Sequence, residues 1–238
     1  MKWRRGLTIG LLTVGAAYLL LLIHPQPLFA YELRRGGIVL HATRPIPDAM
    51  RSTLDRAHAR LERTALYDPA FVPHVFICEP RSLFALFARN NYRVGGFADA
   101  FVGGHVFLRE SDMANDRLIG ASGRPVPADR PLSYFIAHEI MHLVHRRSLG
   151  RWAYLRLPQW VDDGHADYVA RDIDLQQALR GFKSGAYEVD PARSGLYVRY
   201  QLMVAYVVEK KGVAPRALLE NPAARDSVER ELMRLAEW

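Results

Sequence analysis

The chain has 238 residues, half of them hydrophobic and about a quarter charged, with 32 Lys and Arg against 25 Asp and Glu for a formal net charge of +7. That excess does not describe a nucleic-acid surface: Lys2, Arg4, Arg5, Arg34 and Arg35 against Glu32 leave +4 in the first 36 residues, and the remaining +3 is scattered among acids. One cysteine, Cys78, excludes an internal disulfide.

Lys2, Arg4 and Arg5 precede an uncharged run of 18 residues from Gly6 to Ile23, ended by His24, Pro25 and Pro27. This is long enough to span a bilayer and too long for the apolar core of a cleaved signal peptide. It predicts a single-pass transmembrane signal anchor, with the rest of the chain on the extracytoplasmic side. Cleavage at Ala30 is disfavoured by Leu28 two residues before it. Residues 1–36 then form a cytoplasmic stub, the span and a juxtamembrane segment. Residues 37–238 form one domain, about 200 residues long and able to bury a sizeable core.

Within that domain, Ile38 to His41 reads as a short strand. Asp48 is the expected N-cap of a helix to about Leu66, with Met50, Leu54, Ala57, Leu61 and Ala65 as its apolar stripe. His74 to Glu79 reads as a second strand that buries Cys78, and Arg81 to Arg89 as a short helix; His58 and His74 are read as structural. Between Val94 and Arg109 two short runs flank Val102-Gly103-Gly104, the pattern of a β-hairpin. Ser111 to Arg130 is polar and rich in Gly, Pro and Asp, a surface loop beside any cleft.

The segment that follows carries the chemistry. Pro131 and Gly150 bracket an unbroken apolar-striped stretch, a core helix whose centre reads His138-Glu139-Ile140-Met141-His142. Two imidazoles four residues apart lie on one helical face and can grip one ion, while Glu139 points aside toward a metal-bound water as general base. A catalytic zinc needs a third protein ligand and an open position. Pro158 begins a second helix, Pro158-Gln159-Trp160-Val161-Asp162-Asp163-Gly164-His165-Ala166-Asp167-Tyr168, which can supply it. His145 lies about 10 Å beyond His138 along the axis and cannot close on the same ion.

HEIMH followed by PQWVDDGHADY resembles the gluzincin branch of the zincin metallopeptidases, over roughly residues 94 to 210. The resemblance implies an α+β zincin-like fold: a small N-terminal sheet with an edge hairpin, then a mainly helical part. It implies zinc held by His138, His142 and Asp163, with Asp163 standing where the family has a Glu, and His165 as a lesser alternative. It further implies that Asp167 accepts the free ring N–H of His138, that Tyr197, or failing it Tyr200, stabilises the oxyanion, and that a peptide adds to the edge strand as substrate. The activity expected is peptide-bond hydrolysis. The alternatives are a weakly metal-binding scaffold and a zinc hydrolase of a non-protein amide such as cell wall. The remaining chain reads as helices over Leu175 to Phe182, Pro191 to Lys210 and Ala224 to Glu237.

Overall fold

The computed structural model describes residues 2–88, 91, 94–186 and 195–238, and of residues 2–7, 9, 195 and 196 the backbone alone. In chain order its elements are α1 (Lys2–Ile23), β1 (Tyr31–Arg35), β2 (Ile38–Ala42), α2 (Ala49–Leu61), β3 (His74–Ile77), α3 (Arg81–Phe87), β4 (Gly96–Asp99), β5 (His105–Leu108), and the short β6 (Ser111–Asp112) and β7 (Arg117–Leu118). Helices follow: α4 (Leu132–Leu149), α5 (Arg151–Tyr154), α6 (Gln159–Ala170), α7 (Leu175–Lys183), α8 (Gly195–Ala205) running into a π-helical turn (Tyr206–Lys210), α9 (Pro215–Glu220) and α10 (Arg225–Arg234). The fold is α+β, as expected.

Five strands form one mixed sheet in the order β1-β2-β3-β5-β4. β3 pairs parallel with both β2 and β5, while β1 and β4 pair antiparallel at the two edges. The period of two along each strand divides the residues between two cores. Leu40, Val75, Ile77, Val106 and Leu108 pack with α2 and α4; Phe76 and Phe107 pack with Leu22 of α1, Phe29, and Phe84 and Phe87 of α3. A third core joins α6, α7, α8 and α10 through Trp160, Leu179, Met203 and Leu232.

Three expectations are corrected. The boundary after residue 36 falls inside a hairpin: Gly36 and Gly37, at φ 57° and 68°, form the two-residue turn between β1 and β2, so Tyr31–Arg35 belongs to the sheet. Helix α2 stops at Leu61, which leaves Ala65 exposed. Asp48 stands at the N-cap position, as expected, but in helical backbone conformation and with no capping side-chain bond. The third concerns the membrane: among the described residues no helix is long and apolar enough to cross one, so the expected span is not supported. The hairpin around Val102-Gly103-Gly104 is present as β4 and β5. The polar loop holds the small β6–β7 ladder and an isolated antiparallel bridge between Ile119 and Pro125. Residues 191–194 of the expected helix to Lys210 lie outside the described residues.

Candidate metal centre

Helix α4 is buried on nearly every side through its first four turns, from Leu132 to His145 with His142 alone half-buried. It forms the floor of the site, between β4 on one side and α6 on the other. Helix α6 is in turn pressed against α8, where Gly164 leaves no room for a side chain: a Cβ there would lie 2.7 Å from the Tyr200 carbonyl oxygen. The Asp-Asp-Gly sequence therefore fixes how α6 sits, and with it two carboxylates beside the α4 histidines.

His138 Nε2 and His142 Nε2 are 3.3 Å apart, and Asp163 Oδ1 lies 4.0 Å from the first and 3.6 Å from the second. The point equidistant from these three atoms is about 2.1 Å from each, the length of a bond from a divalent ion to imidazole nitrogen or carboxylate oxygen. Asp163 thus reaches the histidines despite its short side chain, and the three residues form a cluster that could hold a metal ion.

The other ring nitrogens are already engaged. His138 Nδ1 is 2.7 Å from Asp167 Oδ1, the relationship expected of Asp167, and Asp167 also accepts from the Tyr134 hydroxyl at 2.6 Å. His142 Nδ1 is 3.0 Å from Asp162 Oδ1, and Tyr154 donates to the other oxygen of Asp162 at 3.0 Å. With each Nδ1–H held by a carboxylate, two Nε2 lone pairs face each other across 3.3 Å. A cation between them relieves that repulsion. Burial opposes protonation of His142, but the charge and hydrogen bond of Asp162 outweigh it and raise its pKa to about 10; Asp167 likewise raises that of His138 against burial. The site favours positive charge at this point.

The hydrogen-bond chain through Asp162, His145 and His165 was not expected. His145 Nδ1 is 2.6 Å from Asp162 Oδ1, and its Nε2 is 2.8 Å from His165 Nδ1, both rings fully buried. His165 is therefore no ligand of the cluster, and His145, as expected, stands apart from the ion. Donor atoms of His142, His145 and Asp162 also cluster, but at hydrogen-bond separations, shorter than the roughly 3.3 Å between two ligands on one tetrahedral ion. They form a chain of hydrogen bonds that orients His142. The signal in the sequence was the pairing of two polar i,i+3 sets, His142 with His145 and Asp162 with His165, on helices that meet.

Glu139 is buried against Gly96 of β4, and burial pushes its carboxyl pKa up against the pull of His138 and His142. The three site residues, Glu139, Tyr197 and Gly95 to Ala98 of the edge strand line one cleft of about 620 Å³. The Tyr197 ring is 6.1 Å from that of His138, and its pKa is raised to about 12 by burial and by Asp163 and Glu139. Tyr200 is buried on the far side of α6 with Arg225 over its ring, and so cannot serve the cleft. Among the described residues lining the cleft, Arg130 is the cation; it lies over the Phe135 ring at 6.0 Å, and its buried Nε has no hydrogen-bond partner. Compared with protein-family models and with curated proteins, the chain matches none.

Proposed function

We propose that the protein is a zinc-dependent metallopeptidase of gluzincin type, with His138, His142 and Asp163 as zinc ligands and Glu139 as general base. The observation that carries this reading is the convergence of two Nε2 atoms and one carboxylate oxygen on a common point about 2.1 Å from each, with Glu139 beside it on the cleft wall. Two imidazoles and a carboxylate are a donor set that suits zinc and leaves a coordination position open. Bound there, zinc would lower the pKa of a water and polarise a substrate carbonyl.

The chain's own groups supply the rest. Glu139 accepts the proton of the attacking water and delivers it to the leaving nitrogen, a task helped by the raised pKa that burial gives it. Asp167 and Asp162 keep the ligand imidazoles in the tautomer that presents Nε2. Tyr197, bordering His138, is the donor proposed for the developing oxyanion.

A peptide is the substrate favoured by the shape of the cleft. β4 has β5 on one side, and its other edge lines the cleft beside Glu139, where an extended chain can add as a further strand. Arg130 offers that chain a partner for a carboxylate, terminal or side-chain. The location belongs to the same reading. An N-terminal segment that opens with Lys2, Arg4 and Arg5 and leaves Leu11, Leu12, Val14, Leu19 and Leu20 exposed on α1 attaches the enzyme to a membrane surface.

The test is cleavage of a mixed peptide library by zinc-loaded protein beside Glu139→Gln. Turnover that falls by about 10²–10⁴ in the variant while bound zinc stays constant supports the proposal; zinc binding without turnover in the parent refutes it.

A further inference from the structure

We infer that the face built by α5, the β4–β5 turn and the end of α1 docks on an anionic phospholipid surface. Between Glu139 and Asp162 the chain holds Arg146, Arg147, Arg151 and Arg156 and no acidic residue. Arg147, Arg151 and Arg156 are exposed, and none makes an ion pair with a described residue. Among them Trp152 is 72% exposed and Leu155 55% exposed. Large apolar side chains this open to water, interleaved with unpaired arginines, match the chemistry of a lipid headgroup boundary: aromatic and aliphatic groups enter the interface, and guanidinium groups meet phosphate.

The patch is continuous with the end of α1. The β4–β5 turn packs so closely on α1 that Gly103 has no room for a Cβ beside the Leu22 carbonyl, and His105 Nε2 lies 3.0 Å from the Ile23 carbonyl oxygen. From the same turn the Phe101 ring contacts Tyr154 of α5 at 5.8 Å, with the Arg151 guanidinium 5.9 Å from its centre. Strand register sets the segment before β3 at this same end of the sheet, where Arg147 lies 4.5 Å over Phe71 and Val72 is exposed like Val102. α1, already apolar on its surface, and α5 thus belong to one side of the molecule. Tyr154 reaches from α5 to Asp162, so the docked face adjoins the cleft. Docking there is independent of the chemistry inside the cleft.

The test places an environment-sensitive fluorophore on Leu155→Cys in the full chain; the native Cys78 is buried, its thiol pKa pushed up by burial, and does not compete for label. Vesicles of phosphatidylcholine alone are compared with vesicles containing roughly one third phosphatidylglycerol. The fluorophore is expected to shift to the blue on the anionic vesicles only, with reversal at high salt. Each change of Arg147, Arg151 or Arg156 to Gln should lower the ratio of docked to free patch roughly fivefold. A fluorophore that stays in water on both vesicles, responds equally to both, or responds only to added polyglutamate overturns the inference, the last in favour of an acidic protein partner.

Discussion

A Cβ built on Gly96 would lie 2.6 Å from Glu139 Oε1 and 2.7 Å from its Cγ. The edge strand and Glu139, the proposed general base, are therefore fitted to each other, and the absence of one methyl group sets where the carboxylate stands. Gly96→Ala should displace Glu139 by about an ångström, since Leu108 Cδ2, also 2.7 Å from that Cβ, leaves the methyl group no other space. We expect kcat to fall about 10²-fold with zinc content unchanged. Steady-state kinetics beside metal analysis checks this; an active Gly96→Ala enzyme would show that Glu139 does not act from this position.

Asp162 and Asp167 hold the imidazoles of His142 and His138, the proposed zinc ligands, by their Nδ1 atoms. Asp162→Asn and Asp167→Asn should each weaken zinc binding about 10- to 100-fold while leaving the ligands themselves in place. Competition with a chromophoric chelator measures it. Asp167 is fully buried and also bonded by Tyr134, so its variant should lose stability as well, by about 1–3 kcal/mol. Unchanged zinc affinity in both variants would rule out their orienting role.

Arg130 is the cation among the described residues of a cleft that Glu139, Asp162 and Asp163 also line. Arg130→Gln should raise KM about 10- to 100-fold for peptides that place a carboxylate against it, with kcat retained. Paired substrates, free acid against amide and Glu against Gln, show which carboxylate it binds. Equal KM for every pair in the parent enzyme would remove Arg130 from substrate recognition.

On the outer face of the sheet His41 is buried, stacked on Phe76 at 4.4 Å, with its Nε2 2.9 Å from His74 Nδ1. Burial and the neighbouring His74 lower its pKa from 6.5 to about 4, and burial lowers those of His74 and His105. The folded state thus resists protons that the unfolded state accepts. Stability should be full above about pH 6.5, fall as pH drops, and stop falling on this account below about pH 4, where folded His41 also protonates. Denaturant titrations of the parent and His41→Phe between pH 8 and pH 4 should show a shallower loss in the variant; parallel curves would contradict this cause.

The central helix and the two histidines of the cluster that could hold a metal ion were legible because each depends on local spacing: the four-residue step from His138 to His142, and bracketing by Pro131 and Gly150. The hairpin was legible for the same reason. β1 was missed because an apolar leader and two basic residues masked a strand whose partner is identified only by the Gly36-Gly37 turn. Tyr200 was misplaced because aromatic residues at helical spacing do not state which helix they face, and the close α6–α8 approach at Gly164 decides it. The Asp162–His145–His165 chain needs two helices in contact, a tertiary fact that neither segment shows alone.

The claim on which the rest stands is that Asp163 joins the two histidines on one ion. Zinc K-edge X-ray absorption of the zinc-loaded full chain and of Asp163→Ala tests it directly. The account predicts two imidazole nitrogens and a carboxylate oxygen at about 2.0–2.2 Å in the parent, with loss of the oxygen shell and of tight binding in the variant. An identical spectrum and equal affinity without the Asp163 carboxylate would contradict it.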